Sequence, residues 1–466
     1  MRNLYKVLIA CSLIGLSSSC KKWLDVQPKT NISENVLFEN EQGFKDALTG
    51  VYILLAGSDF YAKEFTMGTM DVLAQQYDVS ANTNQYYETG RYNYTNATVQ
   101  SNINRFWYTG YKAIANINNI LQAIELRKSV FAEGMYERIK GEALGLRAMI
   151  HFDLFRAFGP IPSKGLTGET IPYVNVFEMK VKPNVSGTDF IEACYADLNQ
   201  AIDLLSLDKQ VVYGTIDPFT SHTRNHFNYW AANGLKARIA LYIGDKDLAY
   251  QQAKFIIDQG AKLFPFVERN NLAGTSPYRA LLPEQLFGIY TPNLHQINED
   301  LFRSTSGQST LSNKASFLTA VFEGSSTDVR SVFLWKTDGT SADKYPAKYR
   351  DDDIQTNLLN TRRIPLMRMS EIYFIGAESS NIREERIEWM NKVIAVRGAV
   401  TISSTADMDQ IDANIVKEYR KEFYQEGQLF FYHKRKNTLR IEGSSIDMTE
   451  AQYVFPKPND EIEFNN

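Results

Sequence analysis

Aromatic and amide side chains cluster between residues 82 and 94 in a polar segment that has no helical or strand period. The cluster contains Tyr86, Tyr87, Tyr92, Tyr94, Asn82, Asn84 and Arg91. An aromatic ring covers the C–H face of a sugar, and amide or guanidinium groups form hydrogen bonds with the hydroxyls at its rim. We therefore interpret this segment as the first candidate ligand surface. The alternative is that its tyrosines pack the segment onto the body of the protein or contact a partner.

Two later segments carry weaker candidates. The sequence TPNLHQINEDLFRS follows the apolar stretch EQLFGIY and brings together Tyr290, His295 and Asn298, and Trp335 lies in SVFLWK. Trp107 and Tyr111 are four residues apart within a helical pattern, which indicates a place in the core rather than at a binding surface.

Potential metal ligands are sparse. His222 and His226 lie four residues apart, but no third ligand follows nearby, so we favour polar residues at a helix start over a metal site. The acidic segment YRDDDI, residues 349–354, has the oxygen ligands that calcium prefers, although a solvated loop explains it better. We expect no metal and no cofactor.

Motifs of the common enzyme classes are missing from the sequence. It has no nucleophile elbow, no H-E-x-x-H, no glycine-rich phosphate loop and no paired cysteines for zinc. A glycosidase carboxylate pair depends on distance in space, which sequence spacing does not reveal. We expect a protein that is not an enzyme. The net charge of −4 and the lack of a basic patch also argue against nucleic acid as a partner.

The N-terminal residues indicate export. Arg2 and Lys6 precede an apolar run, residues 7–16, that is shorter than the roughly 20 residues needed to span a bilayer. Small serines then lead to Cys20, in a pattern that is similar to a bacterial lipoprotein signal. Acylation of Cys20 would anchor the mature chain to a membrane without a spanning helix.

Two alternatives to cleavage before Cys20 remain. Cys11 follows Leu8, Ile9 and Ala10, which match the usual lipobox well, but cleavage there would leave almost no apolar region. A plain secreted protein cleaved near Ser19 is the other alternative. On the leading interpretation, residues 1–19 are the signal peptide, 20–40 a lipidated tether and 41–466 a single domain. Cys194, within a helical pattern, is then expected to be a buried, inert thiol.

The elements that position these candidates are mainly helical. The stretch NYWAANGLKARIALYIGDKDLAYQQAKFIIDQG has the helix-turn-helix pattern of a tetratricopeptide unit, and PLMRMSEIYFIGAESSNIREERIEWMNKVIAVRGA is a degenerate copy. Helix pairs of this kind bury their apolar faces by stacking. Short β-like pieces are EQLFGIY, SVFLWK and YVFPKP. We predict a mainly α fold of tetratricopeptide-like stacked helix pairs with long decorating loops and minor β structure.

Several blocks resemble the SusD/RagB lipoproteins of Bacteroidetes. Cys20 is followed by Trp23, Leu24, Asp25 and Pro28, as at the mature start of that family. Further blocks similar to the family are EALGLRAMIHFDLFRAFGPIP, IPLMRMSEIYFIGAES, EYRKEFYQEGQLFFYHKRKN and YVFPKPNDEIEFNN. The chain departs from the family pattern where Tyr419, Leu429 and His433 replace the usual Arg, Arg and Asp. We therefore expect any ion-pair network at this place to be altered.

The resemblance implies a function. It predicts a SusD-like fold and an outer-membrane lipoprotein, facing the cell surface, that binds an oligosaccharide or another nutrient. The protein would deliver this ligand, as a lid, to a SusC-like TonB-dependent transporter. The alternative is a lipid-anchored helical-repeat scaffold that organises proteins and has no small-nutrient ligand.

Overall fold

The computed structural model describes residues 34–207, 209–212, 219–274, 277–303, 311–337, 343–351 and 362–464. The predicted signal peptide, Cys20 and the tether as far as residue 33 lie outside these ranges. So do residues 352–354 of the acidic segment.

The described residues are mainly helical, as predicted. The helices are α1 (Glu34–Leu37), α2 (Glu41–Leu55), α3 (Thr69–Leu73), α4 (Tyr87–Gly90), α5 (Ala97–Glu125), α6 (Met135–Phe158), α7 (Gly187–Leu205), α8 (Tyr229–Ile243), α9 (Lys246–Gly260), α10 (Asn270–Ala273), α11 (Leu294–Phe302), α12 (Ala315–Val321), α13 (Val329–Phe333), α14 (Met369–Ser379), α15 (Arg383–Val396), α16 (Met408–Glu422), α17 (Gln428–Lys436), α18 (Glu450–Tyr453) and α19 (Asn459–Phe464). Short 3₁₀ turns are Lys128–Val130, Pro162–Lys164, Thr223–Asn225 and Leu282–Glu284.

The long helices stack on one another largely in chain order. Helix α2 packs on α5, and contacts then run from α5 through α6, α7, α8 and α9. Helix α9 also packs on α14, and the stack continues through α15 and α16 to α17. Helix α17 in turn contacts α3, so the end of the stack supports the loops that follow α3. These contacts confirm the predicted stacking of helix pairs.

The pair α8–α9 shows how local sequence sets this arrangement. The Asn228 side chain caps α8 by accepting from the backbone N–H of Trp230 and Ala231. Gly244 ends α8 with φ 89°, a left-handed conformation that glycine adopts without steric cost. Asp245 then caps α9 through the N–H of Leu248. The sequence signals predicted this turn.

The buried end of α6 is completed by a distant lysine. Helix α6 stops at Phe158, before Gly159 and Pro160, as the proline predicts. Its last carbonyls have no partner within the helix. Lys434 Nζ lies within 2.7 Å of the carbonyl oxygens of both Arg156 and Gly159 and donates to them. Burial lowers the pKa of Lys434 well below its usual value.

The strands form two small sheets. They are β1 (Gln285–Tyr290), β2 (Asn313–Lys314), β3 (Trp335–Thr337), β4 (Asp343–Pro346) and β5 (Arg363–Arg368). Strand β1 pairs antiparallel with β5, and β4 lies between β2 and β3.

Three local predictions need correction. Residues 331–333 of SVFLWK belong to α13, and the strand begins only at Trp335. YVFPKP is not a strand, because α18 ends at Tyr453 and Pro456 and Pro458 follow within a few residues. PLMR, predicted to begin a helix, lies in β5. Short apolar runs fit either a strand or a helix, so their pattern alone does not separate these cases.

A group of buried charges joins the sheet to the helices. We call it the ionic core, and it consists of Glu284, Arg330, Arg368, Arg397, Glu422 and Glu426. Arg397 donates to both Glu284 and Glu422 at 2.6–3.1 Å. Arg368 donates to Glu422 at 2.6 Å and to Glu426 at 3.0–3.1 Å. Glu422 and Glu426 lie in the block that resembles the family, and both take part in an ion-pair network. Leu429 and His433, from the same block, are buried outside that network.

The N-terminal residues that the structure describes pack on the body. Phe38 is buried against Phe44, with ring centroids 4.6 Å apart, and the Asn40 side chain caps α2. Residues 34–40, predicted to belong to the tether, thus contribute to the fold. Within the described ranges, no helix is both long enough and apolar enough to cross a membrane.

Candidate functional site

The candidate segment lies in a loop that begins directly after α3. We call residues 75–94 the cleft loop. Gln75 and Tyr92 both adopt the left-handed conformation, with φ 56° and 57°. Such a conformation costs a non-glycine residue about 1–3 kcal/mol and is common at functional sites. Gln75 Nε2 donates to Gly90 O at 3.0 Å and to the Tyr92 hydroxyl at 3.1 Å, so the two strained residues hold each other in place.

Three of the four tyrosines serve packing. The Tyr86 hydroxyl donates to Glu64 Oε1 at 2.9 Å, and the Tyr92 hydroxyl donates to Leu73 O at 2.9 Å. The Tyr94 hydroxyl donates to Gln452 O at 2.6 Å. All three rings are buried. This corrects the interpretation of Tyr86, Tyr92 and Tyr94 as ligand contacts, because each hydroxyl is bonded inside the protein and no ring face is open.

Tyr87 and Arg91 remain available and face a cleft of about 570 Å³, which we call the loop cleft. Its lining residues are Gln75, Tyr77, Asp78, Val79, Ser80, Tyr87, Gly90, Arg91, Lys314, Ser316, Phe317, Gly443, Ser445 and Ile446. The Arg91 guanidinium lies 4.7 Å from the Tyr87 ring centroid, an arrangement that restrains both side chains. An aromatic face and a side chain with several hydrogen-bond donors thus lie together on one wall of the loop cleft.

The loop cleft also holds an acidic and a basic group. The Asp78 carboxylate accepts from the Ser80 hydroxyl at 2.7 Å and from the Ser80 N–H at 3.1 Å. These bonds lower the pKa of Asp78, with the hydroxyl as the largest cause. Asp78 N–H also donates to Ser312 O and to Asn313 Oδ1, both at 3.1 Å, which fastens the loop to β2. Lys314, the last residue of β2, is exposed.

A buried carboxylate supports the floor of the loop cleft. Tyr77 lines the cleft and donates its hydroxyl to Asp71 Oδ2 at 3.2 Å. Asp71 also accepts from the N–H groups of Gln425 and Gly427, at 2.6 and 3.1 Å. Burial raises the pKa of Asp71 to about 7, although these N–H groups oppose the shift. The floor is therefore tied to the turn between α16 and α17.

The other candidates do not join this cleft. Tyr290 lines a different cleft, beside α2, and His295 is half-buried with Nδ1 2.6 Å from Asp351 Oδ1. Asn298 is buried and accepts from Gln425 Nε2 at 3.3 Å. Trp335 is buried edge-on against Tyr424, with centroids 4.9 Å apart, so we correct its interpretation as a ligand contact.

Residues weighed as metal ligands have other partners. His226 Nδ1 lies 3.0 Å from Glu142 Oε2, and Asp351 contacts His295 and also Arg362, whose Nε is 2.9 Å away. Across the described ranges, no group of three or more His, Cys, Asp or Glu side chains is arranged to hold a metal ion.

Trp107 and Cys194 are buried, as expected, whereas Tyr111 is only half-buried and donates to Pro172 O at 2.8 Å.

Sequence reasoning missed part of the loop cleft. Gln75 and Asp78 precede the aromatic cluster, whereas Lys314, Phe317 and Ser445 come from segments far along the chain. The later segments carry no local motif. They meet the cleft loop through tertiary contacts, because Asp78 N–H bonds to residues 312 and 313 and α17 packs on α3.

A stack of helix pairs with a loop cleft lined by aromatic and polar groups defines a helical-repeat protein with a candidate ligand site. Two family models match the chain. The first, described as "Starch-binding associating with outer membrane" (SusD-like), matches residues 22–241, and the second, the SusD family model, matches residues 299–464. The chain belongs to the SusD/RagB family.

One curated relative is a SusD-like protein of Formosa agariphila. It is 21% identical over 242 residues, which are 51% of this chain and 43% of that protein. The match thus spans less than half the length of the relative.

Solved structures share the fold. A SusD superfamily protein from Bacteroides thetaiotaomicron has a TM-score of 0.72 at 22% identity, covering 91% of this chain and 98% of the other. A SusD-like carbohydrate binding protein from Bacteroides vulgatus has a TM-score of 0.71 at 18% identity, covering 91% and 96%.

Proposed function

We propose that this protein binds an oligosaccharide in the loop cleft and delivers it, as a lid, to a TonB-dependent outer-membrane transporter. It would act without catalysis and be held on the outer membrane by acylated Cys20, facing the cell surface. One observation carries the proposal: in a chain of the SusD/RagB family, Tyr87 and Arg91 face an open cleft, on a loop that internal hydrogen bonds fix to the body of the protein. The carbohydrate-binding name of one structural neighbour agrees with this ligand class.

The wall groups suit a sugar. The Tyr87 ring offers an apolar face for the C–H side of a pyranose, and the Arg91 guanidinium offers several donors for hydroxyls at its rim. Asp78 adds an acceptor and Lys314 a further donor at the same cleft. Hydrogen-bond donors and acceptors around one aromatic face distinguish such a site from a purely apolar pocket.

The ligand is tested with the purified chain lacking residues 1–20, applied to immobilised glycans and peptides. We expect saturable binding to one glycan class, lost in Tyr87→Ala and weakened in Arg91→Ala. Tyr108→Ala is the matched control, because Tyr108 is exposed on α5 and is not part of the loop cleft. Binding that survives Tyr87→Ala unchanged would contradict the proposed site. Binding only to peptides would contradict the ligand class.

The delivery step needs a cellular measurement. Deletion of the gene is expected to abolish or slow uptake of the bound glycan, and a Cys20→Ala chain is expected to leave the membrane fraction and fail to restore uptake. The protein is also expected to purify together with a TonB-dependent transporter. Normal uptake after deletion, combined with copurification of other surface proteins, would favour the scaffold alternative instead.

A further inference from the structure

An exposed apolar segment lies between the 3₁₀ turn Pro162–Lys164 and α7. We call residues 176–182, VFEMKVK, the apolar loop. Met179 is fully exposed, and Val176, Phe177 and Val181 are 41–58% exposed. Exposed apolar side chains scattered singly over a surface are ordinary. Four of them within six positions indicate a surface that another molecule covers.

Hydrogen bonds fix both ends of the apolar loop on the body of the protein. Before the loop, buried Asn118 donates to the carbonyl oxygens of Val174 and Val176, at 2.9 and 3.4 Å. After the loop, Val185 O accepts from the Thr170 N–H at 2.8 Å. The fold therefore presents these apolar side chains to the outside from a fixed base.

The apolar loop lies at the end of the helix stack where the described chain begins. Asn118 is seven residues before the end of α5, which is about 10 Å along the helix. Just beyond this end, Phe131 packs on Phe44 of α2 with centroids 4.8 Å apart, and Ala132 N–H donates to Glu41 at 2.7 Å. Helix α1, with which the described residues begin, packs on α2.

A lipid anchor at Cys20 would keep a membrane within reach of this end. Fourteen positions separate Cys20 from Glu34, the first residue of α1, and a chain of that length spans at most about 50 Å when fully extended. This step rests on the acylation of Cys20 proposed above. It depends on neither the proposed glycan nor the transporter.

The composition of the apolar loop favours a lipid surface over a protein partner. Lys180 and Lys182 alternate with apolar residues, and Glu178, the one acidic residue of the loop, pairs with Lys182 at 2.5 Å. Lysine is depleted at protein–protein interfaces. Apolar side chains beside lysines are instead typical of segments that lie in a membrane interface and are attracted to anionic lipids.

We propose that the apolar loop docks on an anionic lipid surface. Phe177, Met179 and Val181 enter the boundary between head groups and acyl chains, and Lys180 and Lys182 remain beside the lipid phosphates. Docking adds a second membrane contact to the lipid anchor. It therefore fixes the orientation of the body, which a single flexible tether leaves free.

The test measures whether the loop meets lipid in a chain that is tethered at its start. The chain without residues 1–20 carries an N-terminal histidine tag and is bound to vesicles that contain nickel-chelating lipid in phosphatidylcholine, with or without phosphatidylglycerol. Met179→Cys carries an NBD fluorophore, whose emission rises in an apolar environment. Cys194 is the one other cysteine of this chain and is buried, so the label reports on residue 179.

We expect the emission at residue 179 to rise about twofold or more on vesicles with phosphatidylglycerol and less on neutral ones. A nitroxide on the lipid acyl chains should quench it. Val400→Cys is the matched control, because Val400 is 92% exposed but follows α15, far along the helix stack from α5. Phe177→Ser should reduce the rise by about half or more, since it removes the largest apolar side chain of the loop. Its circular dichroism should stay unchanged, because Phe177 is outside the core.

Three results would overturn the proposal. The first is an equal emission change at residues 179 and 400, and the second is an equal rise on neutral and anionic vesicles. The third is a rise that requires a transporter in the vesicle, which would assign the apolar loop to a protein interface. No glycan enters these measurements, and Tyr87→Ala should leave them unchanged, so their failure is distinct from failure of the proposed glycan site.

Discussion

The ionic core and the cleft loop both bury polar groups, but they bond them differently. In the ionic core, each arginine faces at least two carboxylates, and Arg368, Arg397 and Glu422 have essentially no exposed surface. In the cleft loop, tyrosine hydroxyls and a glutamine amide bond backbone carbonyls and single carboxylates. Charges that are fully paired and closed off from solvent serve the fold, whereas hydrogen bonds from neutral side chains hold a loop that keeps Tyr87 and Arg91 at its surface.

The difference separates side chains that stabilise the fold from side chains that remain available to a ligand. Burial would raise the pKa of Glu422, but the charges of Arg397 and Arg368 outweigh it and hold that pKa well below 4.5. A carboxylate held in this way has no capacity left for a ligand. Asp78, at the loop cleft, is only partly buried and is bonded by a neighbouring serine. Its other oxygen can therefore serve a ligand.

The largest effect is expected for Glu422→Gln. The glutamine has the same shape but leaves Arg368 and Arg397 buried with too few carboxylates, and breaking a buried ion pair by removing one partner costs about 3–5 kcal/mol. Urea unfolding followed by circular dichroism measures the loss. Glu384→Gln, at an exposed pair with Arg383, is the control and should leave the midpoint unchanged. Equal midpoints for the two variants would show that the ionic core is not essential to the fold.

A pH dependence is expected from the buried pair that joins α14 to α17. Burial would raise the pKa of Glu378, but Arg435 and Lys436 hold it at about 2, compared with 4.5 for a free glutamate. Because the folded pKa is the lower one, the stabilisation is complete above about pH 4.5 and is lost as the pH falls towards 2. A shift of this size corresponds to about 3 kcal/mol.

Glu378→Gln should remove that pH dependence. Urea midpoints measured from pH 6 to pH 3 are expected to fall less steeply in the variant than in the wild-type chain. The wild-type chain should lose stability faster over this range, since other carboxylates titrate in both proteins but Glu378 only in one. Parallel curves would contradict the assignment of this pair as an acid-sensitive contact.

Much of the helical body could be predicted from the sequence. Asn228, Gly244 and Asp245 are local signals, and the helix pair that they delimit begins and ends where those residues indicate. The stop of α6 before Pro160 is equally local. The bond that Lys434 donates at the end of α6 is not a local signal, because it joins residues 275 positions apart.

The candidate site was predicted only in part. The aromatic cluster marked the right loop, but tyrosine suits a core as well as a surface, and composition does not reveal which rings a fold will bury. Tyr86 and Tyr87 are adjacent and chemically identical, yet only Tyr87 lines the cleft, because the residues lie at the start of α4 and point in different directions. No sequence pattern marks Gln75 or Lys314 as part of the site. Gln75 acts through its left-handed backbone conformation, and Lys314 is brought to the cleft by a strand that is distant in sequence.

The adjacent tyrosines give a direct test of this division. Tyr86→Phe deprives buried Glu64 of a hydrogen-bond donor, which is expected to cost about 1–3 kcal/mol. Tyr87→Phe keeps the ring at the cleft and should change stability by less than about 0.5 kcal/mol, as surface substitutions usually do. Thermal or urea unfolding of the two variants side by side measures the difference. A larger loss for Tyr87→Phe would reverse the roles assigned to the pair.

The smallest effect is expected for the contact between Arg91 and Tyr87. A cation over an aromatic ring at an exposed site contributes about 0.5–1 kcal/mol, so a double-mutant cycle of Arg91→Ala and Tyr87→Leu should give a coupling energy within that range. The same variants should lose glycan binding by far more than they lose stability, because their surfaces meet the ligand. A coupling energy above about 2 kcal/mol, beyond the range for an exposed pair, would show that the contact holds the cleft loop together. Arg91 and Tyr87 would then belong with the structural side chains, and the contrast with the ionic core would fail at the residues on which the proposed site depends.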